Sequence, residues 1–545
     1  MVGHLFLLLA VCFSFAPLGA GNLVFHEYYQ QKDKELTKMM GTPVYGESDV
    51  DPLWQSPEDI DAWYGEVKDF WTDINPSIGG MIEEGGWENS SPDMEESIAF
   101  LEEFFPKDGK RQRKALDIGA GVGRVAKGVL LKYVRTVDVI DQEPKFIAMA
   151  KSMLGPQPYP YDTLNPEGQY TEATVQAFFP VEEAYDLICL QWTASYLADA
   201  DLLVALTKFR KALKPHGLIF IKDSILKGGV QAQKVDKRIM RPHSLYEALL
   251  RKVGLHLVKK AEHGLQPEAH TNRMGMYLAG KHPVSTITTE DGEEIPLMGV
   301  DSESGEHFYS MKGMWAEELK KKQWNKHVKE YWDQREAKVN NPEIAGIDLE
   351  ESAQFLEDQF APGQRFKRRG LDLGAGVGRV AQGVLLKYVY TVDLVDQGAH
   401  FLREARNRLS SRNTNGQYVQ AAVQDVDIPK GHYDLICIQY TALYLSDEDL
   451  LKVLKNAVPG LKEGGIVFFK DNLPMNPDKF QVNRDSAFNI FRMEQHYRWL
   501  FREAGLQISK ESPQLQWLEG ANPIRMFALR PEEYYQPPAG DDEDN

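Results

Sequence analysis

Two doubly wound α/β units in tandem are what this 545-residue chain predicts, on three observations. First, one stretch occurs twice, as Leu116-Asp117-Ile118-Gly119-Ala120-Gly121-Val122-Gly123-Arg124 and as Leu371-Asp372-Leu373-Gly374-Ala375-Gly376-Val377-Gly378-Arg379. An apolar run, a glycine turn and helix-forming residues read as strand, loop and helix. The glycines let the backbone turn sharply and approach a ligand with no Cβ in the way. Second, each copy leads to another apolar strand ending in an acid, Asp141 or Asp396. That acid lies roughly 20 residues past the first glycine, where a βαβ unit offers a carboxylate to a ribose diol. A nucleoside ligand is expected. Third, roughly three-quarters of positions are identical between Arg113–Gln142 and Arg368–Gln397. The chain is too long for one core, and the period far exceeds that of repeat arrays. A whole domain has been duplicated.

The composition, 43% hydrophobic and 26% charged, is that of an ordinary globular protein. A net charge of -18 argues against a nucleic-acid partner and favours a basic one. Of the three cysteines, Cys12, Cys189 and Cys437, the last two stand at equivalent points of the repeat, inside apolar runs. Buried thiols are expected there rather than a disulfide. No metal-ligand spacing occurs, and no metal is expected.

Residues 1–21 form a possible leader, with an apolar Leu5–Phe15 followed by Gly19, Ala20 and Gly21. The run has only His4 before it and is too short for a stable membrane span. Entry into the secretory pathway is one reading; the lack of a disulfide framework favours a cytoplasmic or nuclear protein. Residues 50–282 form the first domain, opening on the helical, aromatic stretch Trp54–Pro106. Asp186–Gln191 reads as a strand whose last residue turns polar where such sheets bind ligands. Asp199–Leu213 follows as an amphipathic helix, Gly217–Asp223 as a strand and Met274–Ala279 as a final edge strand. The loop-like composition of 283–312 reads as a linker. The second domain, 313–532, opens at Trp324–Trp332 and repeats the sheet from Gly370 to Arg530. Residues 533–545 make a solvated acidic tail.

The loop is Gly-x-Gly-x-Gly followed by arginine, not the Gly-x-Gly-x-x-Gly of a dinucleotide site. It resembles that of class I S-adenosylmethionine-dependent methyltransferases. The wording Gly-Ala-Gly-Val-Gly-Arg-Val-Ala-Lys-Gly-Val-Leu-Leu is similar, more narrowly, to the protein α-N-terminal methyltransferase family. The resemblance implies two tandem Rossmann-like, doubly wound class I methyltransferase domains, each with an N-terminal helical cap, and S-adenosyl-L-methionine as cofactor. Gly119 and Gly121 would let the backbone approach the cofactor's amino-acid end. Arg124 would fork onto its carboxylate, and Asp141 would take the ribose hydroxyls. By resemblance, Val175 and Gln176 flank the adenine, and Gln191 helps to hold the methionine portion. In the second half these become Gly374, Gly376, Arg379, Asp396, Val423, Gln424 and Gln439.

An acceptor α-amine has a pKa of about 8 and attacks only when neutral, so its site needs a proton acceptor. The family places one about a dozen residues after a strand ending Ile-Lys-Asp-Asn, with a histidine five residues past the strand-end glutamine. Both halves depart from that pattern. The first has Ser224 after Asp223, Asp236 at the matching spacing and Tyr196 in place of histidine. The second has Asn472 and Tyr444, and its nearest acid, Asp485, aligns only with a short insertion. Trp192 and Tyr440 match the family's aromatic channel wall. Trp71 and Trp332 match its N-terminal cap, although a core anchor explains Trp71 equally well. The first half keeps Pro76, Met81 and Asp236, so it is the expected catalytic half. The implied activity is methylation of the α-amino group of protein N-termini that resemble X-Pro-Lys or X-Pro-Arg. A small-molecule amine methyltransferase is one alternative. A cofactor-binding regulatory module is another, favoured by the loss of histidine from both copies.

Overall fold

Among the described residues three helices precede the first sheet: α1 (Pro57–Asp73), α2 (Ile78–Met81) and α3 (Gly86–Leu101). The computed structural model describes residues 57–81, 86–105, 113–155, 164–165, 167–233, 235, 237–264, 273–320, 323–339, 341–360, 364–484, 486–516 and 518–534. The leader-like start, Cys12, Asp236, Asp485 and the acidic run Asp541–Asp544 lie outside the described residues.

The apolar runs on either side of the first glycine loop become β1 (Lys114–Ile118) and β2 (Thr136–Asp141). Between them lies the short α4 (Arg124–Gly128). After α5 (Pro144–Leu154) come β3 (Tyr170–Glu172), β4 (Tyr185–Gln191), α6 (Asp199–Ala212) and β5 (Leu213–Leu226). The hairpin β6 (Gln231–Ala232) and β7 (Ile239–Pro242) leads into α7 (His243–Lys252). Strands β8 (His256–Gly264) and β9 (Arg273–Gly280) finish the half. Strands β3-β2-β1-β4-β5 run parallel in that order, and β9 joins β5 antiparallel. Being covered on both faces, β1, β2 and β4 are buried almost throughout, as near-continuous apolar strands in a parallel sheet must be.

The Met274–Ala279 strand is not the edge. Strand β9 is buried along nearly its whole length between β5 and β8, and β8 takes the outer position. Lysines Lys259 and Lys260 on β8 suit an edge, where charge discourages further strand pairing.

The connection 283–312 is not a bare loop. It forms β10 (Thr286–Thr288), β11 (Glu294–Pro296), β12 (Gly299–Asp301) and β13 (His307–Phe308), and leads into α8 (Met311–Lys320). Its polar composition hid these short strands because each is only two or three residues long. Tyr309 enters the first half's core, and its hydroxyl accepts the His282 N–H at 3.0 Å.

The second half repeats the plan with α9 (Trp324–Asp333), α10 (Pro342–Leu356), β14 (Arg369–Leu373), β15 (Thr391–Asp396), α11 (Ala399–Leu409), β16 (Tyr418–Gln420) and β17 (Tyr433–Gln439). It continues with α12 (Asp447–Gly460), β18 (Leu461–Asn472), β19 (Phe480–Asn483), β20 (Asn489–Phe491), α13 (Glu494–Glu503), β21 (Leu506–Pro513) and β22 (Ile524–Pro531). Its sheet order, β16-β15-β14-β17-β18-β22-β21, reproduces the first. One hairpin behaves differently. In the first half β7 pairs with the end of β5, whereas β19 and β20 leave their sheet and join β12 and β13 of the connection. Cys189 and Cys437 are buried and unbonded. Among the described residues no helix is long and apolar enough to cross a membrane, and no cluster of acidic, His or Cys side chains could hold a metal.

Candidate active site

In each half the glycine loop opens at the carboxyl end of the sheet, where a doubly wound fold leaves its crevice. Gly119 and Gly121 have φ of 64° and 54°, and Gly374 and Gly376 have φ of 76° and 51°, a left-handed backbone that favours glycine. A Cβ at Gly119 would lie 2.5 Å from Thr193 Oγ1, and one at Gly374 would lie 2.2 Å from Thr441 Oγ1. The loop is therefore pressed against the turn after β4 or β17, and only glycine fits.

The strand-end acids hold this loop. Asp141 accepts the Gly121 N–H at 2.8 Å and the Glu143 N–H at 2.9 Å. Asp396 accepts the Gly376 and Gly398 N–H groups in the same way, at 2.9 and 2.8 Å. Burial pushes Asp141 up to about 6 against those backbone donors, and it raises Asp396 as well.

One first-half cavity of about 680 Å³ brings together Gly119, Arg124, Asp141, Val175, Gln176 and Gln191. Gly121 borders it through its bond to Asp141. The second-half cavity, about 420 Å³, is lined by Gly374, Gly376, Arg379, Asp396, Gln424 and Gln439, with Val423 beside them. Apart from Gly121, every cofactor candidate named from the sequence thus lines one of two equivalent cavities.

A buried acid on the cap, missed in the sequence, organises each site. Asp93 on α3 accepts Arg124 Nη1 at 2.8 Å and Gln191 Nε2 at 2.7 Å, and Lys222 Nζ lies 2.8 Å from its other oxygen. Asp348 on α10 does the same for Arg379, Gln439 and Lys470. Burial alone would raise either carboxyl, but the lysine and arginine outweigh it and hold both below the usual range. The signal was present as Asp-x-Glu-Glu-Ser, at Asp93–Ser97 and again at Asp348–Ser352. Arg124 therefore reaches the cavity already oriented by an internal partner.

A second missed pair lies inside the quoted motif. Asp117 and Asp372 are wholly buried beside the loop, and burial pushes each up to about 7. Among the described residues, one carboxylate oxygen of each, Oδ2, has no hydrogen-bond partner. An unsatisfied buried acceptor is costly, and at Asp117, which lines the first cavity, a ligand ammonium would satisfy it. The donor set therefore fits a nucleoside that carries an amino acid.

The first cavity continues past Gln191 toward the end of β5, where Trp192, Tyr196, Ser224 and Arg238 line it. Trp192 sits at φ 59° and Tyr440 at φ 53°, strained positions for aromatic residues that turn both rings into their cavities. Arg238, also missed, lies with its guanidinium 5.6 Å from the Trp192 ring and donates to Ser224 Oγ at 3.1 Å. Trp71 packs edge-on to Tyr196 at 5.5 Å, and Trp332 packs edge-on to Tyr444 at 5.3 Å. Each tyrosine is carried on a turn clamped from below. Arg241 donates to the carbonyls of Ala194 and Leu197, and Arg492 donates to those of Ala442 and Leu445.

The second cavity reaches Tyr440 and Tyr444 but not the counterparts of Ser224 and Arg238. Tyr440 donates its hydroxyl to Asp348 at 2.7 Å, and Asn472 is not among the residues lining that cavity. Asp236 and Asp485 fall outside the described residues. Sequence registers still separate them: five positions before Arg241 stands Asp236, whereas five before its counterpart Arg492 stands Ala487.

Comparison with known proteins places the chain in a family. A family model described as AdoMet dependent proline di-methyltransferase matches residues 59–277 and, a second time, 320–530. Among curated relatives, N-terminal Xaa-Pro-Lys N-methyltransferase 1 of Danio rerio is 34% identical over 217 residues, 39% of this chain and 92% of that protein. Its Homo sapiens counterpart is 33% identical over 208 residues, 37% of this chain and 88% of that protein. A solved SAM-dependent methyltransferase from Leishmania major shows 32% identity, with a TM-score of 0.40 over 44% of this chain and 98% of that one. This chain belongs to the AdoMet-dependent proline dimethyltransferase family, carries its domain in two tandem copies, and is an S-adenosyl-L-methionine-dependent enzyme.

Proposed function

We propose that the chain methylates the α-amino group of protein N-termini of the X-Pro-Lys or X-Pro-Arg type, and that its first half, residues 50–282, does so. One observation carries this reading: a single cavity runs from the cofactor loop at Gly119 to the aromatic and polar cluster Trp192, Ser224 and Arg238. The names of the relatives supply the acceptor class, and the net charge of -18 suits a basic third residue.

S-Adenosyl-L-methionine, when bound, supplies a methyl group on a sulfonium. The chain's own residues position it and the acceptor. Asp141 takes the ribose hydroxyls, Val175 and Gln176 border the adenine, and Gln191 borders the methionine portion. Arg124 takes the carboxylate, while the unpaired oxygen of Asp117 takes the ammonium. Positioning is the main contribution such a displacement needs, and well-aligned reactants can recover several kcal/mol of the barrier.

At the acceptor end Trp192 and Tyr196 exclude water from the incoming nitrogen. A like charge disfavours a protonated amine, so Arg238 beside that nitrogen favours the neutral, nucleophilic form. Asp236 is the proposed proton acceptor, because a tyrosine such as Tyr196 is a poor base at neutral pH. The test is transfer of label from the donor to X-Pro-Lys peptides, free and N-acetylated. Free peptides should be labelled and acetylated ones should not. Labelling of acetylated peptides would move the acceptor to a side chain, and labelling of a small amine alone would replace the protein substrate.

A further inference from the structure

Although their sequences align closely, the two halves treat the acceptor end differently. In the first half, α2 closes over the loop: a Cβ at Gly121 would lie 2.4 Å from Met81 Cε, whereas one at Gly376 would meet nothing within 4 Å. The Pro76–Met81 segment is held by Lys145, whose Nζ donates to the carbonyls of Thr72 and Ile74. His400 stands at the corresponding place in the second half and meets the Arg335 carbonyl of a shorter segment, at 3.0 Å.

The hairpin beyond the sheet differs more. In the first half it meets the cap through Ile239, which is buried against Trp63 and Val67, and through the Lys237–Glu66 ion pair at 2.8 Å. Phe488 and His327 take the corresponding places in the second half, and their rings lie 4.7 Å apart. Phe488 packs on a hydrophobic core built from α8, α9, the connection and β19–β20, which includes Trp315, Trp324, Phe308 and Phe480. The connection secures that hairpin through the parallel pairing of β12 with β19 and through Arg484, which reaches Asp301, Glu306 and Glu318. Separating those surfaces would expose several buried aromatic side chains to water. In effect the connection is the wedge that shuts the second acceptor end, and Ala487 stands where the first half has Asp236.

We propose that the second half is a cofactor-binding site that does not transfer methyl groups, its acceptor channel sealed by the connection between the halves. This rests on the acceptor reading above only for the statement that the first half transfers. The site at Gly374–Gln439 takes an S-adenosyl nucleoside through Asp396, Arg379 and Gln439, all of which line its cavity.

Calorimetry with S-adenosylhomocysteine tests the binding, and isotope trapping tests the transfer. The wild-type chain should bind two equivalents. Loaded with labelled donor and mixed at once with excess X-Pro-Lys peptide and unlabelled donor, it should pass on at most one labelled methyl per chain. Asp141→Ala should bind one equivalent and transfer none; should that variant fold poorly, Asp141→Asn, whose first site is weakened, should do the same at donor concentrations too low to fill that site. A wild-type stoichiometry of one, two methyl groups released per chain, or label transferred by either Asp141 variant at its remaining site would each overturn the proposal. Two equivalents bound with no peptide labelled would support the second cofactor site and overturn the acceptor reading instead.

Discussion

Replacing Asp93 by alanine should destabilise the first half without touching its glycine loop. The acid lies between Arg124, Gln191 and Lys222, and the Lys222 side chain is fully buried. Removing one partner of a buried ion pair leaves the other charge uncompensated and costs roughly 3–5 kcal/mol. The low end applies here, because Glu96 stays 3.2 Å from Lys222 Nζ. In the second half, Asp348→Ala leaves Lys470 with the neutral Ser352 hydroxyl at 2.8 Å as its nearest donor-accepting side chain, and the high end applies. At about 2–4 °C per kcal/mol for domains of this size, the shifts are roughly 6–12 °C and roughly 10–20 °C. Scanning calorimetry at pH 7 reads both. Asp93 is held below its ordinary pKa, so its contribution is fully present above the unfolded value of about 3.9 and is lost as pH falls through the lower folded value. The gap between wild type and variant should therefore close in strong acid. Because buried pairs tolerate apolar replacement, Asp93→Leu with Lys222→Met should recover much of the loss. A shift below roughly 2 °C for Asp93→Ala, or a larger shift in the first half than in the second, would refute the reasoning.

Asp141→Asn should weaken binding of S-adenosylhomocysteine to the first site by roughly 10–150-fold, the worth of a charged hydrogen bond of about 1.5–3 kcal/mol. Since Asp141 titrates at about 6 in the free site, affinity there should fall as pH drops below that value and the carboxylate protonates; calorimetry across pH 5–8 reads this, and the asparagine variant should lose the dependence. Gly121→Ala should impair cofactor binding more than Gly376→Ala: both strain a left-handed backbone, but only the first drives a Cβ into Met81. Arg238→Met should raise the apparent pKa for amine attack in a pH–rate profile, because a nearby positive charge would be gone; an unchanged profile would rule out that role.

The parts of the site that lie in contiguous motifs were legible in the sequence. The loop and its strand-end acid sit within one βαβ unit, so spacing alone placed Gly119, Gly121, Arg124 and Asp141 together. Asp93 was not legible, because it joins Arg124 and Lys222 only through the docking of α3 on the sheet. Its repeated Asp-x-Glu-Glu-Ser surroundings would have marked it once the two copies were aligned beyond the glycine loop. Arg238 gave no local signal, since a hairpin only a few residues long carries it to Trp192. The connection was misread as loop because its strands are short and polar on one face, while its apolar residues, Phe308 and Leu297 among them, bury against the second half. In register from Arg241 and Arg492, Asp236 aligns with Ala487 and not with Asp485.

The most direct measurement of what the chain does is the position of the methyl group itself. Purified protein, donor and an X-Pro-Lys peptide with an unmodified N-terminus should give a product whose fragment masses place every added methyl on the α-nitrogen. Methyl groups on the lysine side chain, or a peptide returned unmodified while both cofactor sites are filled, would contradict the account.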